Sequence, residues 1–217
     1  MRVARSLVVV ALLPLFAACQ LFDGPRESAS HAGQTRMQGQ LTAVDGKLQF
    51  QPCNETRSFV VNDTGNTSVL QQAASLADTK GKLFADVRGR IVDSRLDLEQ
   101  LYRVERSGTA CDDPDFKLQT LRAAGHSPEW SVKVTGKGMV IVRTGQPPLA
   151  LPYVEEQLGD GRFNLGTEAN NQHIELWVTP QRCVDSTTGS VQHMSAELRI
   201  NGQVQRGCGY YGGSRND

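Results

Sequence analysis

The chain has 217 residues, with 23 Lys and Arg against 23 Asp and Glu and a formal net charge of zero at pH 7. No basic block stands out, which argues against nucleic acid as a partner. With 21 glycines, 6% aromatic residues and no long helical periodicity, the composition points to many short strands joined by turns, in one large or two small domains.

The N-terminus reads MRVARSLVVVALLPLFAAC. Arg2 and Arg5 precede an uncharged apolar run, residues 7–18, closed by two small residues. That is the layout of a secretory signal peptide, and it is shorter than the roughly 20 apolar residues of a membrane span. Removing it takes away Arg2 and Arg5 and leaves the remainder slightly acidic. Phe16-Ala17-Ala18-Cys19 resembles a bacterial lipobox, with Phe where Leu is usual. The resemblance implies that Cys19 is acylated and becomes the mature N-terminus, and that Gln20 directs the protein to the outer membrane. An ordinary signal peptide cut near Ala18 would instead leave Cys19 as an unpaired thiol, a reactive liability in an exported protein. Acyl chains contribute ~0.8 kcal/mol per buried methylene, so several hold almost irreversibly. No second hydrophobic segment follows. The expectation is a protein lipid-anchored at the periplasmic face of the outer membrane, with residues 19–33 as a flexible polar tether that carries a solvated His31.

From residue 34 the pattern alternates. TRMQGQLTAV places Met37, Gly39, Leu41 and Ala43 on one face, and Asp45-Gly46 turns it into KLQFQP as a hairpin. RSFVVND gives a third strand. NTSVLQQAASLADTKGK carries Val69, Leu70, Ala73, Leu76 and Ala77 at helical spacing, with Thr67 or Ser68 as its cap and Gly81 as its end. LFADVRGRIV and LDLEQLYRVER follow as strands around Asp93-Ser94-Arg95. The order β-β-β-α-β-β is that of an OB-type barrel.

These residues carry a resemblance. MQGQL, then FQPCNETRSFVV, a helix and LFADVRGRI resemble the OB-fold domain of the NlpE family of outer-membrane lipoproteins, across residues 34–112. Such proteins place this domain second, after a domain bearing a C-x-x-C; here it comes first and no C-x-x-C is present. The metal and redox-sensing roles of that motif therefore have no residues to land on, while fold, anchoring and location carry over.

Residues 111–130 read as a joint between two domains. Asp112, Asp113 and Asp115 around Pro114 lack the spacing and glycine of a calcium loop and read as a solvated acidic turn. From Trp130 alternation resumes. WSVKVTGKGMVIVR is a hairpin turning at residues 136–138; PPLALPYVEEQ, RFNLGTE and HIELWVTPQ are short strands; HMSAELRINGQVQRGCG is a hairpin around Asn201-Gly202. Pro128-Glu129-Trp130-Ser131-Val132, the Cys183 to Gly189 turn and the Gly202 to Cys208 hairpin resemble a bacterial envelope domain family of unknown function, over residues 118–210. Tyr210-Tyr211-Gly212-Gly213 opens a terminal tail, residues 211–217, mobile unless it docks.

The expected fold is thus mostly β. Two small antiparallel β domains stand in tandem, an OB-like barrel with one helix (34–115) and a β-rich meander or barrel (118–210), after a lipoprotein signal peptide (1–18). With Cys19 set aside for lipid, Cys53, Cys111, Cys183 and Cys208 form an even set, which an oxidising compartment makes disulfides. Three pairings are open; a two-domain division would join Cys53–Cys111 and Cys183–Cys208.

Catalysis has little to build on. Asp185, Ser186, Ser190 and His193 hold the residue types of a Ser-His-Asp set, but there is no G-x-S-x-G, and local turn bonding is the simpler reading. A soft metal would draw on His126, His173, His193 and Met194, which are scattered. Trp130 and Trp177, within alternating strands, read as core, and Tyr153, Tyr210 and Tyr211 complete the aromatic candidates for a binding surface. The expected function is that of a non-enzymatic outer-membrane lipoprotein with an accessory or interaction role in envelope homeostasis or stress response, needing no cofactor. Its partners would be the membrane, through its lipid, and an envelope protein. A copper, zinc or small-ligand binding module and an inhibitor of a host hydrolase are the alternatives.

Overall fold

Asp45 and Gly46 both take positive φ, 50° and 73°, the pair of left-handed residues a tight hairpin turn requires. They join β1 (Thr35–Val44) to β2 (Lys47–Pro52). β3 (Phe59–Asp63) adds to β2, and the helix α1 (Val69–Leu76) follows. β4 (Leu83–Val92) and β5 (Arg95–Arg106) form the next hairpin. β1 pairs with both β2 and β4, β4 with β5, and β5 runs parallel to β3, so five strands close into an OB-like barrel. That one parallel ladder departs from the all-antiparallel expectation. It lets the chain close the ring without leaving a free edge. The computed structural model describes residues 32–77, 82–106 and 110–215; the expected signal peptide, Cys19, most of the expected tether, His31 and Gly81 lie outside them.

Helix α1 is amphipathic. Val69, Ala73 and Leu76 lie in the barrel core with Leu41, Phe50, Phe59, Leu96 and Leu98, each large side chain contributing roughly 1.5–3 kcal/mol by burial. Its expected hydroxyl cap does not form. Ser68 has φ 60° and its side chain caps nothing. Instead Asp63 Oδ1 accepts the Thr67 N–H at 2.9 Å, and Gln72 Nε2 donates to the Thr67 carbonyl at 2.7 Å.

The segment read as a joint is largely a strand. After two short 3-10 turns, β6 (Gln119–His126) runs between two neighbours in the second sheet. Gln119, Leu121, Ala123 and Gly125 face inward, an alternation blurred in sequence by small and polar residues. β7 (Glu129–Thr135) and β8 (Gly138–Arg143) form the expected hairpin, followed by β9 (Leu149–Leu151), β10 (Val154–Gln157), β11 (Phe163–Ala169) and β12 (Gln172–Thr179).

Two short strands, β13 (Cys183–Val184) and β14 (Val191–Gln192), leave this sheet, before β15 (Met194–Ile200) and β16 (Gln203–Tyr211) return to it through the Asn201-Gly202 turn, φ 50° and 82°. The second sheet has nine strands in the order β10-β11-β12-β15-β16-β6-β7-β8-β9. Its two edge strands are joined only by Pro152 and Tyr153, so the sheet must curl until its edges lie within about 11 Å at that link. The curl encloses Trp130, Val132, Ile141, Phe163, Leu176 and Leu198.

The two sheets are stitched together. β14 pairs with β5, so β13 and β14 extend the barrel's own sheet, and Val191 belongs to the barrel core. Disulfides join Cys53 to Cys111 and Cys183 to Cys208. The second ties the crossover hairpin back to β16, linking the two sheets rather than closing a loop within one. The C-terminal residues dock: Gly212, Gly213 and Ser214 donate backbone N–H groups to Thr120, Phe116 and Gln119.

Candidate functional site

The polar groups with unusual surroundings gather where the outer face of β4 and β5 is covered by the second sheet. β4 shows why. Leu83, Ala85 and Val87 point into the barrel, while Phe84, Asp86 and Arg88 point outward, and all six are buried. A strand buried on both faces while carrying Asp and Arg must find partners for those charges. Arg36 Nε and Nη2 donate to the two Asp86 oxygens, each at 2.8 Å. The same guanidinium donates to the carbonyls of Tyr211 at 2.6 Å and Gly212 at 2.9 Å, and lies 3.9 Å over the Tyr102 ring.

His193 sits beside this group. Its Nδ1–H donates to the Tyr102 carbonyl at 2.9 Å, and its ring stands edge-on to Tyr102 and tilted against Tyr211. Burial pushes its pKa down to about 4, with the Arg36 charge adding to that and the Tyr102 hydrogen bond opposing it. The imidazole is therefore neutral, and its buried Nε2 has no hydrogen-bond partner. Met194, next in sequence, is fully buried in the core of the second sheet. His193 and Met194 thus serve different environments and do not form a joint ligand pair.

Asp185 goes to a different histidine from the one its sequence position favours. His126 Nε2 donates to Asp185 Oδ2 at 3.0 Å. Asp185 Oδ1 accepts the N–H groups of Thr187 and Thr188 and the Thr188 hydroxyl. Burial raises the Asp185 pKa, but the Thr188 and Thr187 bonds and the charge of His126 outweigh it and hold the carboxyl below its ordinary range. Ser186 is exposed beside this pair, and Ser190 bonds to Thr188 instead. No Ser-His-Asp chain runs through these residues. The pair lines a cleft of ≈ 420 Å³ with Glu197 and Arg206.

The remaining candidates are dispersed. His173 lies near Glu168 and Glu175 on the β11–β12 hairpin. Asp115 Oδ2 accepts a bond from Lys133 Nζ at 2.6 Å, and Asp113 accepts from the Asp115 N–H and from Gln119, so two of the three acidic-turn carboxylates have local partners. Among the described residues no group of three or more His, Cys, Asp or Glu is placed to hold a metal ion. Trp130 is core, but Trp177 is half-buried on the outer face with Arg199 stacked 4.6 Å from its ring, which corrects its reading as a core residue.

A second cleft, ≈ 570 Å³, opens along the seam and is lined by Arg103, Glu105, Asp112, Arg122, Gln192 and Tyr210 among others. Arg103 is only 5% exposed and is held between the Phe84 and Tyr210 rings, at 4.6 and 4.1 Å. Sequence reading passed over Arg36, Asp86, Arg103 and Arg122. The one available signal was the outward row Phe84, Asp86, Arg88, too apolar and too charged at once for an exposed face. Comparison with family models, with curated proteins and with solved structures finds no match.

Proposed function

We propose that this chain is a non-enzymatic, lipid-anchored protein of the bacterial outer membrane that works by binding a partner or ligand in the envelope. One observation carries the reading: the disulfides use Cys53, Cys111, Cys183 and Cys208, and the fifth cysteine of the sequence, Cys19, stands in the lipobox-like Phe16-Ala17-Ala18-Cys19. An oxidising compartment explains the four paired thiols, and acylation accounts for the fifth. The resemblance of residues 34–112 to the OB-fold domain of the NlpE lipoproteins supports an envelope role, and Gln20 supports outer-membrane sorting with the folded part on the periplasmic face.

The assignment of a binding rather than a catalytic role is supported by the placement of the polar groups. Asp185 serves His126 and a turn, and His193 is neutral and donates to a carbonyl. Metabolic labelling with a palmitate analogue tests the anchor. The wild type takes up label and fractionates with outer membranes, and Cys19→Ser does neither. Equal labelling or equal membrane association of the two forms overturns the reading.

A further inference from the structure

The cleft at the seam is lined by a buried guanidinium whose hydrogen-bonding capacity the fold fills only in part. Burying a guanidinium is costly unless its donors are hydrogen-bonded, yet Arg103 is buried with Nε and Nη2 lacking any hydrogen-bond partner. Its cross-strand neighbour Asp86 has both oxygens taken by Arg36. Glu105 is the one carboxylate it reaches, at 3.4 Å from Nη1. The two flanking rings support the cation from its faces but satisfy neither Nε nor Nη2, the buried in-plane donors of the kind that suit an oxyanion.

Arg122, on the facing strand β6, lines the same cleft, and its side chain has no hydrogen bond or ion pair among the described residues. Gln192 and Tyr210 add polar groups between them. Asp112 lines the cleft too, exposed and likewise without a hydrogen bond or ion pair among the described residues. Strands of both sheets, β5, β6, β14 and β16, supply these residues, so the cleft exists only because the two sheets pack, a common setting for small-ligand sites.

We propose that this cleft binds a small zwitterion of the amino-acid or short-peptide class, its carboxylate on Arg103 and Arg122 and its ammonium group facing Asp112 and Glu105. Carboxylates in the same cleft as the arginines disfavour a polyanion such as phosphate and favour a ligand with both charges, because complementary placement gives selectivity as well as attraction. The inference deepens the reading of the chain as a tethered binding protein by naming what the site takes. It is tested on the purified full chain in detergent, where Cys19 plays no part, so its failure and the failure of the anchoring reading are separate results.

Thermal unfolding and isothermal calorimetry are run with the common amino acids, dialanine and trialanine, and with acetate, methylammonium and inorganic phosphate as single-charge or polyanion probes. At least one zwitterion binds saturably and raises Tm by several degrees, since a ligand that binds only the native state stabilises it. Binding weakens roughly tenfold or more, about 1.4 kcal/mol, in Arg122→Gln and again in Asp112→Asn. Asp112 is exposed on a turn, so its substitution leaves the fold intact even if Arg122→Gln does not fold. Absence of binding by every zwitterion overturns the proposal. So does acetate or phosphate binding as tightly as the zwitterions, and so does unchanged affinity in Asp112→Asn.

Discussion

Arg36 on β1 grips Asp86 on β4 through two hydrogen bonds of 2.8 Å, and the same guanidinium bonds the carbonyls of Tyr211 and Gly212 at the end of the last strand. One side chain thus fastens the barrel to a segment 176 residues later in the chain. Asp86 is fully buried and Arg36 largely so, with side chains 0% and 13% exposed. Removing one partner leaves an uncompensated buried charge, so Asp86→Ala is expected to cost about 3–5 kcal/mol. Urea titration followed by Trp fluorescence checks it. For a unit of this size the loss lowers Tm by on the order of 10 °C, whereas Asp97→Ala, which breaks a solvent-screened ion pair to the half-exposed Arg95, leaves Tm close to that of the wild type.

Acid is expected to destabilise the protein through His193. Its folded pKa of about 4 lies below the ordinary value of 6.5, so the unfolded chain binds more protons between those limits. Stability therefore rises with pH across that window and is lost as pH falls through it, by roughly 3 kcal/mol in total. His193→Phe flattens this slope. An unchanged pH dependence in that variant shows the imidazole to be open to water. Asp185, whose folded pKa is lowered, contributes stability present above the usual carboxylate range and lost at more acid pH.

The two disulfides are expected to differ in weight. They separate their cysteines by 58 and 25 residues, which the loop-entropy relation converts to about 4 and about 3.5 kcal/mol. The shorter link, Cys183–Cys208, also holds the crossover hairpin to the second sheet. A Cys183→Ser, Cys208→Ser double variant is therefore expected to raise amide exchange across residues 183–192 beyond the global loss. Mass spectrometry of unreduced peptides checks the pairing itself.

Asp185→Asn removes the negative acceptor shared by His126 and the Thr187 and Thr188 donors. Hydrogen bonds to a charged group contribute roughly 1.5–3 kcal/mol. The expected result is faster exchange at the Thr187 and Thr188 amides, read by nuclear magnetic resonance, with the barrel core unaffected. Unchanged protection at both amides would show that the turn holds without the carboxylate.

Much of the strand order was legible because its signals are local. Asp45-Gly46 and Asn201-Gly202 announce their hairpins through the backbone conformation they tolerate, and alternation over β1, β7 and β15 marks their buried faces. Gln119 to His126 escaped notice because Ala123 and Gly125 fill its inward positions with little side chain, and the acidic turn before it resembles a linker. Trp177 was misplaced for a related reason: alternation shows that two faces exist, and a stacked Arg199 makes the outer face hospitable to an indole.

By itself the sequence determined the strand-rich class, the OB-like order of the first half and the even set of four cysteines beyond the N-terminal segment, since each follows from residue type and near spacing. Only the tertiary structure decided that Asp185 meets His126 rather than His193, that β14 joins the barrel, and that Arg36, Asp86 and Arg103 are buried together at the seam. Those outcomes depend on which surfaces of two curled sheets pack against each other. Packing between segments so far apart in the chain leaves no period in the sequence to read.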